Sequence, residues 1–160
     1  MKNSKTIIID PVWDELEKVR NQLGRFLIDQ HLSEFQNHAA TMVFNELIEK
    51  GIKYGKFGPG DQIESHITID DRMITIEVVT PVDETNHIHL QELDEMIQWI
   101  RGYQDPFEAY IEKLKKVARL PIDDKKSGLG LVRIAYEGGA ILDFCNIEDG
   151  RLNVTAVLNF

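Results

Sequence analysis

Three stretches of the chain place side chains able to carry chemistry at workable spacing. In Asn45-Glu46-Leu47-Ile48-Glu49-Lys50-Gly51-Ile52-Lys53-Tyr54-Gly55, Glu46 precedes Lys50 by four residues and Glu49 precedes Lys53 by four. On a helix that spacing puts each carboxylate beside an ammonium in the favourable order, worth about 0.3–0.5 kcal/mol a pair and ordinary on a solvated face. The same glutamate can serve as a general base, and the lysine can meet a phosphate as a point charge. The second stretch is Ser127-Gly128-Leu129-Gly130-Leu131, followed by Gly138-Gly139. Two glycines spaced one apart let a backbone approach a ligand, and a helix starting there adds a positive dipole end, so the pattern suits an anion. It also describes a plain loop, a helix start and a Gly-Gly stop. The third is His87-Ile88-His89 with Asp83 and Glu84 nearby. Those donors can hold zinc or nickel, but no other His/Cys cluster completes the set, so a solvated loop is the simpler reading. Cys145 ends an apolar strand with no histidine spaced to activate it, which fits a buried thiol.

The elements that must position these groups follow from periodicity. Ile7 to Ile9 is a β-branched run, and Asp10-Pro11 after it predicts a helix start carrying Val12, Leu16, Val19, Leu23, Phe26 and Leu27 to about Gln30. A second helix is expected from Ser33. In it Ala40, Val43, Phe44, Leu47, Ile48 and Gly51 fall on one stripe, and Tyr54-Gly55 ends it. Ile63 to Ile69 and Ile74 to Val78 alternate with polar residues around Asp70-Asp71-Arg72, the pattern of an antiparallel hairpin. A polar loop from Pro81 to His89 then leads to a helix through Leu90, Leu93, Ile97 and Ile100. Asp105-Pro106 opens another, with Lys113, Lys115, Lys116 and Arg119 on a basic face. Trp13 and Trp99 fall on apolar helix faces and are expected in the core. After a loop from Leu120 to Ser127, a short helix from Gly128 to Tyr136 precedes a closing hairpin, Ala140 to Phe144 with Leu152 to Leu158. This order predicts an α+β protein: a two-layer α/β sandwich, its mixed and largely antiparallel sheet covered by helices on one face.

The 160 residues suit one domain, 1–160. A formal charge of −9, from 27 acidic and 18 basic residues, argues against nucleic acid or an anionic membrane surface as partner. A single cysteine excludes an internal disulfide and suits a reducing cytoplasm, and no run approaches the roughly 20 apolar residues of a membrane helix.

Taken together, the stretch around Glu46 and the glycine segment resemble two boxes of the GHKL (Bergerat-fold) ATP-binding domain shared by histidine kinases, anti-sigma-factor serine kinases and gyrase. Glu46-Leu47 with Gly51-Ile52-Lys53-Tyr54 resembles its helical N box, and Gly128 to Leu131 through Gly138-Gly139 resembles its last glycine box. Residues 93–144 are similar to small stand-alone SiaB-type kinases, which act on STAS-type partners opposite a PP2C-type phosphatase. The resemblance implies ATP as ligand, a STAS-type protein or PP2C-type phosphatase as partner, and a possible homodimer. Glu46 would be the catalytic base. Lys50, Lys53 and Thr80 would meet the nucleotide from one side, and Ser127, Gly128, Leu129, Gly130 and Leu131 from the other. Two departures stand out. The asparagine that holds magnesium in the family is Lys50 here, and an ammonium cannot ligate a cation. The Asp-x-Gly-x-Gly box is absent, leaving Thr80 or Asp83 to read adenine. Two readings follow: a serine/threonine protein kinase, or a binding module of the same fold without ATP turnover. A metal enzyme built on His87 and His89 is a third.

Overall fold

Along β2 (Ile63–Asp70) and β3 (Met73–Pro81) every second side chain is buried, and all of these but Ser65 and Thr80 are apolar, so each strand has one greasy face and one wet one. A computed structural model describes residues 2–119, 129–147 and 150–160 and shows what covers the greasy face. Five strands line up in the order β1-β2-β3-β5-β4, with β1 at Asn3–Ile9, β4 at Ala140–Ile147 and β5 at Arg151–Asn159. Every pairing is antiparallel. The register puts Ile67 opposite Ile76, and Ile76 opposite Ala156, all on the inner face and all fully buried. The outer face of β2 is Glu64, His66, Thr68 and Asp70, which can face water; an antiparallel sheet tolerates that on one side.

The helices are α1 (Leu16–Ile28), α2 (Glu34–Tyr54), α3 (His87–Arg101), α4 (Pro106–Val117) and α5 (Leu129–Tyr136). Helix α2 is the spine. Ser33 caps it as expected: its hydroxyl accepts from the Gln36 amide, and the Gln36 side chain accepts from the Ser33 amide. The stripe from Ala40 to Gly51 is buried throughout, against β2, β3 and β5. Gly51 is needed at this contact, because a Cβ there would lie 2.9 Å from Thr80 Oγ1 and 3.3 Å from Ile63 Cδ1. Helix α1 adds Val19, Leu23 and Leu27, and α5 adds Leu131, Val132, Ile134 and Ala135. Asp105 caps α4 through the Phe107 amide, again as its sequence predicts. At the far end of α5 the chain turns through Gly138, where a Cβ would lie 2.7 Å from the Ile134 carbonyl oxygen, and through Gly139, at φ +60°.

Three expectations need correction. Asp10-Pro11 does not start the first helix. Val12, in extended backbone, precedes a single 3-10 turn at Trp13–Glu15, and Asp10 Oδ1 instead accepts from Gln62 Nε2 at 2.8 Å, tying the end of β1 to the entry of β2. Trp13 is therefore off the face that α1 buries, and it is 55% exposed rather than core; Trp99 does pack against the core. The polar stretch after Pro81 is also shorter than expected. A 3-10 turn at Glu84–Asn86 runs into α3, which begins at His87. Asp83 Oδ1 accepts from the amide and the hydroxyl of Thr85 there, so local side-chain capping winds the loop into a helix start. The loop from Leu120 to Ser127 lies outside the described residues, and so does the side chain of Cys145.

Candidate functional site

Glu46 and Gly130, eighty-four positions apart in sequence, meet where α2 crosses the start of α5. A Cβ on Gly130 would meet the Glu46 carboxylate and lie 3.5 Å from Lys50 Cε, so α5 packs directly against these two side chains and a larger residue would have to push the carboxylate aside. Glu46 Oε1 accepts from Arg133 Nη1 at 3.2 Å, and Arg133 Nε donates to Glu137 at 3.2 Å. Glu49 pairs with Arg20 at 3.6 Å. The carboxylates thus go to arginines on neighbouring helices, although helical spacing alone offers them Lys50 and Lys53. The Glu46 side chain keeps only 18% exposure. Its pKa is raised from the ordinary carboxylate value. Burial is the largest cause and Glu49 adds to it, as does Glu137; together they outweigh Arg133 and Lys50, which act the other way. An ion pair and a raised pKa in one residue therefore do not conflict: desolvation is the stronger effect.

Beside this contact a cavity of about 140 Å³ opens between α2, α3, β3 and β5. Leu47, Val78, Leu93, Met96, Leu131 and Val154 make its walls. Gly51 and Thr80 are part of the lining, Thr80 being 5% exposed. Tyr54 and His89 stand at the rim with ring centroids 5.2 Å apart, and His89 Nδ1 is 3.7 Å from Glu92 Oε2. Lys50 also lines the cavity, its Nζ 5.6 Å from the Tyr54 ring centroid, while Lys53 lies on the outside at 5.1 Å from the same ring. A void of roughly 150 Å³ holds one aromatic ring, against roughly 300–1,000 Å³ for a whole drug-sized ligand. The space has the volume of a single ring, so the rest of any larger ligand would lie outside it.

Of the nucleotide contacts expected from sequence, Lys50, Thr80 and Leu131 line this one cavity. Glu46, Gly130 and Leu129 lie at its α5 side, and Lys53 is exposed beyond the rim. Ser127 and Gly128 lie outside the described residues. Asp83, the alternative adenine reader, is exposed and turned to Thr85 rather than to the cavity. Magnesium does not fit at position 50, where the side chain is an ammonium. Among the described residues no group of three or more His, Cys, Asp or Glu is arranged to hold a metal ion; the His87 side chain lies outside those described. Sequence reasoning missed Arg133, which belongs to an ordinary i,i+4 pair with Glu137 and shows no sign in the sequence of a partner 87 positions away. It also missed the cavity walls on α3, where Leu93 reads only as part of a helical stripe and Met96 is not singled out.

Among the described residues no helix is long and apolar enough to cross a membrane. No family model matches the chain, and no curated protein matches it. The fold does have a solved counterpart. A chain in the crystal structure of the SiaB–SiaC complex from Pseudomonas aeruginosa is similar over 98% of this chain and 89% of that one, with a TM-score of 0.69 and 16% identity.

Proposed function

We propose that this protein, on the fold it shares with a chain of the SiaB–SiaC complex, is a cytoplasmic, single-domain regulator of the GHKL type. It binds a nucleotide between α2, α3 and α5 and acts on a partner protein. The observation that carries this reading is a ring-sized apolar cavity lined by Lys50, Thr80 and Leu131, with Lys50 also reaching the contact between Glu46 and Gly130. A base enters beside Thr80, and the phosphates extend past Lys50 toward the first turn of α5, where helix amides and the dipole favour negative charge. The partner named in the solved complex supports a SiaC-like protein as target, and a STAS-type fold is the finer expectation.

Glu46 is suited to the proton transfer that phosphorylation of a hydroxyl requires. The partner's serine or threonine oxygen attacks the γ-phosphorus, the bond from that phosphorus to the β-bridging oxygen breaks, and ADP leaves. The hydroxyl proton passes to the Glu46 carboxylate, whose raised pKa brings it nearer the working pH of a general base. A second reading draws on the Arg133 contact. With Glu46 held by Arg133, the same cleft can bind nucleotide and partner without turnover.

A thermal-shift titration tests the shared part of both readings. ATP at 1 mM is expected to raise Tm, since ligand at roughly 100 times its Kd adds about 2.7 kcal/mol. An unchanged Tm with ATP and with ADP, in magnesium and in chelator alike, overturns the nucleotide reading.

A further inference from the structure

Helix α4 turns one side to the protein and the other to solvent. Ala109 is fully buried, and Lys116, two turns further on, lies over the Trp99 ring of α3 at 4.7 Å. The opposite side carries Phe107, Ile111, Leu114 and, at the C-cap, Ala118, spaced four, three and four residues apart. A helix puts that spacing on one stripe. Phe107 is 42% exposed and Leu114 37%; Ala118 is exposed and Ile111 half-buried. Tyr136 of α5, also 42% exposed, widens the stripe, its ring 5.1 Å from that of Phe107 and 5.2 Å from that of Tyr110.

Charge on this helix is segregated. Asp105, Glu108 and Glu112 come first, then Lys113, Lys115, Lys116 and Arg119, with no acid or base out of place from 105 to 119. Acids early and bases late suit the dipole of a single helix. The dipole does not account for where four of them sit. Glu108, Glu112, Lys115 and Arg119 each follow a stripe residue by one position, so they line one flank of an apolar surface. Turning the helix end for end exchanges the acidic and basic halves of that flank. The surface is therefore complementary to itself, as a two-fold contact between identical chains requires. Two chains of formal charge −9 repel each other in general, and here opposite charges meet.

We infer that a second copy of this chain docks on α4, with its own α4 running antiparallel across a two-fold axis. An axis level with the Glu112–Lys113 peptide sets Phe107 against Ala118, and Ile111 against Leu114, of the second copy. Glu108 then lies between Lys115 and Arg119 of that copy, and symmetry repeats each contact. The pair that Lys115 makes with Glu112 of its own helix, at 3.3 Å and exposed, is too weak to oppose the exchange. The proposal names the face of a homodimer and does not rest on the nucleotide reading.

Sedimentation equilibrium over about 5–500 µM protein, the range that a small interface calls for, tests it. The samples are wild type, Leu114→Glu, Glu108→Lys, Lys115→Glu and an equimolar mixture of the last two, each checked for folding by circular dichroism. Wild type is expected to pass from monomer to dimer, and Leu114→Glu to stay monomeric. Each charge reversal should weaken the dimer roughly tenfold or more, because it sets like charges together twice across the axis. The mixture should recover most of the wild-type affinity, since one chain then carries only bases, and the other only acids, at positions 108 and 115. A wild-type monomer at every concentration overturns the proposal and leaves the stripe to a partner of another kind. A dimer that Leu114→Glu leaves intact, or that neither reversal weakens, overturns it too, because association then uses another face. Reversals that weaken the dimer without rescue in the mixture rule out the antiparallel pairing.

Discussion

Phe44→Ala is expected to remove about 3–5 kcal/mol of folding stability, the usual cost of emptying a phenylalanine site in a packed core. Phe44 is 0% exposed, midway along α2 within the core cluster, so truncation leaves a void that rigid strand side chains can only partly close. Domains of this kind have about 5–15 kcal/mol in total. The loss should lower Tm by roughly 6–20 °C, taking about 2–4 °C per kcal/mol. Urea unfolding followed by circular dichroism gives the number directly. A loss below about 1 kcal/mol would mean that α2 is not the spine of the fold.

Glu46→Gln is expected to separate chemistry from binding and from stability. If Glu46 takes the proton, transfer of label from γ-labelled ATP to the partner protein should fall by about 10²–10⁴-fold, the range for loss of a general base. ATP affinity should stay within a few-fold, because the carboxylate is placed toward Arg133 and Gly130 rather than in the cavity wall. The folded-state pKa of Glu46 lies above its unfolded value. Its neutral form therefore favours the fold at pH below the ordinary carboxylate value, and that contribution is lost as pH rises through the raised value. Glutamine is neutral at every pH. The variant should thus match wild type near pH 4 and melt higher than wild type at pH 7–8. A lower Tm at pH 8 would show instead that the Arg133 ion pair outweighs desolvation. Equal transfer would remove Glu46 from the chemistry, and no transfer by either protein would leave the second reading.

Much of this was legible in the chain wherever one physical cause dominated. The α2 stripe from Ala40 to Gly51 is periodic because one helix face is buried, and Ser33 with Gln36 caps it through local hydrogen bonds. The alternation in β2 and β3 reports a sheet with one wet face. Sequence failed where the deciding contact is distant or a nearby competitor wins. Asp10-Pro11 reads as a helix start, yet Asp10 finds Gln62 across the fold and the helix waits until after Val12. Trp13 looks like core by spacing, but the 3-10 turn rotates it off the α1 face. At the site, the glycine pattern suggested a phosphate loop. Gly130 also has Glu46 and Lys50 packed directly on it, and no local pattern can encode that.

An amide-resolved NMR titration of the labelled protein with ADP, run in magnesium and again in EDTA, tests the central claim most directly. Shifts concentrated at Gly51, Gly55, Thr80, Gly130 and Leu131, saturating with one ligand per chain and sparing Asn21 and Arg25 on the far side of α1, are the predicted result. No saturable shift at millimolar ADP, or shifts gathered on α1 with the α2–α5 residues unmoved, would contradict it.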